Sequence, residues 1–185
     1  MILFRCFAWD EAAAARARGG PLWFPRMLQG DGRHDNPALY GCLYVSTEPV
    51  SAAVERLARL AGTSLAQSDL VRRGYPFALA AVELSDRAEL VDLDDPAALV
   101  REELRPSRVA TNERSVTQVQ AGELFERHPN AAGLRWWSTF EALWANVTLF
   151  DRAEPLLEVA DVKPLEVGDD VVREAGEFLG LPVST

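Results

Sequence analysis

Apolar and polar positions along the chain change period several times, and each change marks an element. Residues 2–7 (Ile-Leu-Phe-Arg-Cys-Phe) form a short apolar run crossed by Arg5, which predicts a strand. An Ala-rich stretch follows. The segment 19–37 is then dense in Gly, Pro and polar residues around Trp23 and Phe24, which predicts a long loop; loops of that length inside a compact domain are uncommon and often functional. Leu43-Tyr44-Val45 reads as a short strand. It is ended by Ser46-Thr47-Glu48-Pro49, a helix-start signature, after which Val50, Val54, Leu57 and Ala61 recur at helical spacing. Further strands are predicted over 77–84, 89–93, 133–138, 146–150 and 156–162, and further helices over 95–104, 115–127 and 169–179, the last stopped by Gly180 and Pro182. Strands and helices interleave with no internal repeat and no linker. The expectation is therefore one α+β domain over residues 1–185, with central mixed and antiparallel sheets flanked by helices.

Length and composition agree with that organisation. A chain of 185 residues, 48% hydrophobic, can bury most of the surface its unfolded form exposes. The net charge of -9 argues against a nucleic-acid binder, whose affinity rests on clustered Lys and Arg. A small anionic ligand stays open to it, held by a few placed arginines. Arginine supplies all the basic residues but Lys163, a bias that genome composition explains more simply than binding. Cys6 and Cys42 sit in apolar runs without metal or CxxC spacing, so buried free thiols are expected. No HExxH motif or Cys cluster accompanies His34 and His128, so no metal site is expected, and neither phosphate-cradling glycine fingerprint is present. No run approaches the roughly 18 apolar residues of a membrane span, and the opening Met1-Ile2-Leu3-Phe4 lacks the build of a signal peptide. A cytoplasmic protein with no membrane partner is the expectation.

One ordered set of residues carries chemistry. Arg33, Tyr44 and Glu55 stand eleven apart across the glycine loop, the strand and the helix that follows. A guanidinium, an aromatic ring and a carboxylate are what a dinucleotide with a scissile glycosidic bond requires. Breaking such a bond develops positive charge on the sugar, which a nearby carboxylate stabilises. Glu55 is the candidate. Arg33 can hold a pyrophosphate through bidentate hydrogen bonds, and the Tyr44 ring can stack on a flat base.

The stretches Gly32-Arg33-His34-Asp35-Asn36-Pro37, Leu43-Tyr44-Val45-Ser46 and Ala52-Ala53-Val54-Glu55 resemble the RES domain family, named for its Arg, Glu and Ser. Gly133 to Ser138, followed by Asn146 to Phe150, is similar to that family's C-terminal serine segment, and Arg5 is similar to the first of two arginines near its start. The resemblance covers about residues 2 to 180. Where the family commonly has an aromatic after the glycine-arginine pair, this chain has His34. The resemblance implies a fold like that of ADP-ribosyltransferases of the diphtheria-toxin type and a bacterial toxin that degrades NAD. It also implies a cognate antitoxin that covers the pocket. NAD would be the substrate, with no metal. Glu55, Arg33 and Ser138 would serve catalysis, and Arg5, Arg33, Tyr44 and Ser138 would bind the dinucleotide.

Taken singly, each residue also has an ordinary reading: Glu55 as the i to i+4 partner of Arg59, Arg33 as a loop arginine beside Asp31 or Asp35, Tyr44 as core. Three functions compete: ADP-ribose transfer to water or phosphate, ADP-ribosyl transfer to a macromolecule, and a non-catalytic binding partner that retains the fold. Exposed tryptophans would favour homo-oligomers.

Overall fold

The computed structural model describes residues 1–182. In chain order the elements are β1 (Ile2–Ala8), β2 (Cys42–Ser46), α1 (Pro49–Leu57), β3 (Val71–Arg72), β4 (Tyr75–Leu84) and β5 (Glu89–Asp92). There follow α2 (Pro96–Arg101), α3 (Pro106–Val109), α4 (Arg114–Arg127), β6 (Ala131–Trp137), β7 (Ala145–Phe150), β8 (Leu157–Pro164) and α5 (Asp170–Leu179). The chain is α+β, and its β-structure is mixed, mostly antiparallel and flanked by helices. It divides into two compact units interleaved along the sequence: Met1–Trp23 with Val45–Glu83 and the segment from Glu158 onward, and Phe24–Tyr44 with Leu84–Leu157.

In the first unit β4 is central. It pairs with β1 in unbroken antiparallel register from Ile2↔Glu83 to Ala8↔Phe77, with β3 through a tight hairpin, and with β8. The hairpin turn uses Arg73 and Gly74 at φ 54 and 85°, the left-handed pair that matches strand twist. On its other side β1 meets β2 at one register pair, Phe4↔Ser46. Pro49 begins α1, which turns Ala53, Val54 and Leu57 inward and packs on β1 and α5. Val172, Ala175 and Gly176 of α5 are buried, and α5 stops at Gly180 in the left-handed conformation, φ 65°.

In the second unit β6 runs parallel to β5 and antiparallel to β7. Every residue of β7 is buried, as a strand covered on both faces requires. The core gathers Tyr40, Cys42, Leu124, Leu134, Trp136 and Phe150, with Phe125 packed against it. Tyr40, Phe125 and Phe150 meet with ring centroids 4.5–5.0 Å apart.

The predicted strands and helices are present, with two departures. The helix expected over 95–104 ends at Arg101: Glu103 turns left-handed at φ 56°, Leu104 N–H bonds back to Leu99, and Pro106 opens the separate turn α3. The two-residue β3 was too short to show a period. Both cysteines are buried and free.

Candidate active site

The second unit builds its part around the loop 30–37. Gly30 and Gly32 N–H donate to one carboxylate oxygen of Asp35 at 2.9 and 2.7 Å, and the Tyr44 hydroxyl donates to the other at 2.7 Å. That hydroxyl also accepts the His34 N–H at 2.9 Å. A side chain at Gly32 would place its Cβ 2.5 Å from the Tyr44 oxygen, so the loop closes on the phenol only with glycine there. Burial first, then Cys42 and Asp35, pushes the Tyr44 hydroxyl well above its ordinary value, which keeps it a donor at any working pH. From α4, the Gln118 side chain donates to the Gly30 and Gly32 carbonyls and the Thr117 hydroxyl to the Arg33 carbonyl.

Arg33 is 5% exposed. Its Nη1 donates to the Val109 and Thr111 carbonyls at 3.0 and 2.8 Å, and its guanidinium stands 5.0 Å from the centre of the Trp136 ring. His34 meets the same tryptophan edge-on at 5.3 Å and shares a hydrogen bond with the Thr148 hydroxyl at 2.8 Å. It therefore packs as an aromatic would. Ser138, two residues beyond Trp136, is buried; its N–H donates to the Trp144 carbonyl and its Oγ accepts the Phe140 N–H at 3.2 Å, which fixes the turn after β6.

Burial foremost, and the charges of Arg33 and Arg114, pull the His34 pKa down to about 3. The folded ring stays neutral where the unfolded one, near pH 6.5, takes up a proton. Stability is thus fully present above pH 6.5 and falls as pH drops toward 3, by about 1.4 kcal/mol per unit. Urea unfolding between pH 5 and 6.5 should show that slope, and His34→Phe should flatten it whatever its own effect on stability. An unchanged slope would assign the acid sensitivity elsewhere.

In the first unit Arg5 projects from β1 and donates to three carbonyls of the loop 20–23: Gly20 at 3.2 Å, Pro21 at 2.5 Å and Trp23 at 3.4 Å. It lies 4.8 Å from the Phe7 ring centre. Burial and the nearby charge of Arg56 pull its pKa down to about 9. Glu55 sits on the exposed face of α1, between buried Val54 and Leu57. Next to it Arg56 reaches the Cys6 carbonyl, one residue from Arg5 on β1.

Arg33 and Tyr44 are thus brought together by one loop, and Ser138 directly follows the strand whose Trp136 Arg33 covers. Arg5 and Glu55 belong to the first unit, on a strand and a helix packed on each other. Sequence reasoning missed Asp35, which ties the loop to Tyr44, and Arg56, whose position beside Glu55 carried no signal. Among the described residues, no cluster of three or more His, Cys, Asp or Glu could hold a metal, and no helix is long and apolar enough to cross a membrane.

The elements and the arginine-bearing loop define an α+β domain with guanidinium, phenol and carboxylate groups at fixed places. The RES domain family model matches residues 2–170, and the chain belongs to that family. Its fold is similar to that of a chain in the crystal structure of the M. tuberculosis MbcT-MbcA toxin-antitoxin complex. The TM-score is 0.60 at 16% identity, covering 97% of this chain and 88% of that one. Among curated proteins no sequence matches.

Proposed function

We propose that the protein degrades NAD as the toxin of a toxin–antitoxin pair. The observation that carries this reading is the family match over residues 2–170; the stretches around Arg5, Arg33, Tyr44, Glu55 and Ser138, which resemble the family's motifs, support it. The likeness of fold to a chain of the MbcT-MbcA toxin-antitoxin complex adds the expectation of an antitoxin partner.

In the proposed reaction the bond between ribose C1′ and the nicotinamide nitrogen breaks, and its electron pair leaves with nicotinamide. Glu55 stabilises the oxocarbenium-like sugar or orients a ribose hydroxyl. An oxygen of water or phosphate then bonds C1′; water loses its proton and yields ADP-ribose, and phosphate yields the 1-phosphate ester. The roles the family resemblance implies are the diphosphate for Arg33 and Arg5, the nicotinamide ring for Tyr44, and the carboxamide or a ribose hydroxyl for Ser138. The neutral phenol of Tyr44, held by Asp35 and the His34 N–H, offers its ring in one orientation.

The test is incubation of the purified protein with NAD, with and without phosphate, followed by identification of products. Nicotinamide released in step with NAD loss is expected. Label from adenine-labelled NAD retained on a protein would replace this reading with macromolecular ADP-ribosylation. Unchanged NAD, with no thermal shift from NAD or nicotinamide, would overturn it.

A further inference from the structure

Asp35 is a buried acid, 5% exposed, whose carboxylate takes three hydrogen bonds, all from neutral donors. The Gly30 and Gly32 N–H groups reach one oxygen at 2.9 and 2.7 Å, and the Tyr44 hydroxyl reaches the other at 2.7 Å. A desolvated charge held by dipoles alone is costly unless its lone pairs find donors. The residue type follows from that geometry. Asparagine at this place could still accept the two glycine N–H groups, but it would turn its NH2 toward a hydroxyl that already accepts the His34 N–H. The phenol's own proton would then lose its acceptor.

Two consequences reach the candidate site. First, Arg33 is bracketed by this pair: Gly32 before it is bonded to Asp35, and His34 after it to the Tyr44 oxygen. Its own carbonyl takes the Thr117 hydroxyl, so the backbone that carries the guanidinium is set by the groups that set the phenol. Second, a hydroxyl has one proton, and that of Tyr44 is taken by Asp35. Tyr44 therefore serves by its ring and has no proton free for a substrate. The fit leaves no slack, since a Cβ at Gly32 would stand 2.5 Å from both Asp35 Oδ1 and the Tyr44 oxygen.

We propose that Asp35 is a positioning residue whose carboxylate couples the Tyr44 ring to the turn that carries Arg33, so that ring and guanidinium are placed as one body. What they are placed for rests on the function proposed above; the coupling itself does not.

The experiment compares wild type, Asp35→Asn, Tyr44→Phe and the double variant by amide exchange, by NMR of protein labelled with 13C at the tyrosine Cζ, and by NAD turnover. Exchange over residues 30–34 should speed up roughly tenfold or more in Asp35→Asn, as loss of a charge-assisted bond requires, with β7 unchanged. The chain has three tyrosines, so the label gives one signal for each, and the signal missing in Tyr44→Phe should move in Asp35→Asn. A bond that only braces the loop predicts no more than that. Positioning predicts besides that kcat/KM for NAD falls roughly 10- to 100-fold in each single variant and no further in the double, because either change breaks the same coupling. Unaltered exchange and an unmoved Tyr44 signal in Asp35→Asn overturn the inference and leave NAD degradation standing; so do additive losses of kcat/KM, or no loss. Should wild type leave NAD untouched, the exchange and the Tyr44 signal decide the coupling, and only the proposed function falls. Should the variants fail to fold, wild type in equal H2O and D2O decides. The bonded hydroxyls of Tyr40 and Tyr44 should each split the Cζ signal through slow exchange of proton and deuteron, while exposed Tyr75 gives a single line. Splitting at one tyrosine or none overturns the coupling.

Discussion

Glu55→Gln should lower NAD consumption by roughly two to three orders of magnitude, the usual loss when a preorganised group facing transition-state charge is removed. The reasoning is electrostatic. Glutamine keeps the size of the side chain and its place on the exposed face of α1, between buried Val54 and Leu57. What it removes is the negative charge that, in the proposed reaction, answers the sugar cation. Because the position is exposed, the thermal midpoint should move little, so loss of turnover would report chemistry and not unfolding. The decisive comparison sets kcat against NAD affinity in the two proteins. A variant that binds NAD normally and turns it over at the wild-type rate would show that the carboxylate has no part in the reaction.

Phe150→Ala should be the most destabilising single change in the second unit. Phe150 is fully buried and closes a ring cluster with Tyr40 and Phe125, at centroid distances of 4.6 and 5.0 Å. Truncation removes the transfer energy of a benzyl group and leaves a void lined by two large rings that cannot both collapse into it. The expected cost is about 3–5 kcal/mol. For a chain of this size that corresponds to a fall of roughly 6–20 °C in the unfolding midpoint, read by calorimetry. A fall under about 2 °C would mean that the cluster repacks freely.

Much of the fold could be read from periodicity, because the elements that matter most are strongly amphipathic or strongly apolar. The inward set Val54 and Leu57 announced α1, and Val147, Leu149 and Phe150 in the run from Asn146 announced β7. The end of α2 was harder. Residues 95–104 keep a helical pattern, and what ends the helix is the left-handed turn at Glu103, a backbone choice that no apolar spacing encodes. The Ala-rich stretch after β1 shows the same limit from the other side. Its intrinsic preference is helical, yet residues 11–20 lie mostly in turns, where the Ala14 and Ala15 carbonyls leave no room for a side chain at Gly20 and Arg5 gathers the Gly20 and Pro21 carbonyls.

The candidate site divides in the same manner. The order of Arg33, Tyr44 and Glu55 along the chain was visible, since it is a matter of residue type and interval. What each side chain touches was not. The interval could not say that Asp35 would take the Tyr44 hydroxyl, that His34 would be buried edge-on to Trp136, or that Arg56 would grip the Cys6 carbonyl. Those depend on which carbonyls and rings converge once distant segments pack.

The carbonyl grips made by Arg5, Arg26, Arg33, Arg56 and Arg152 share one requirement: a planar group that donates in more than one direction. Lysine, in contrast, occurs once, at Lys163, on an outward-facing part of β8, with its side chain 77% exposed beside Asp161. Side-chain amines are therefore absent from every one of these grips. A succinimide ester of biotin or of a fluorophore would find one side-chain amine, at Lys163, besides the α-amine of Met1, while the arginine scaffold stays untouched.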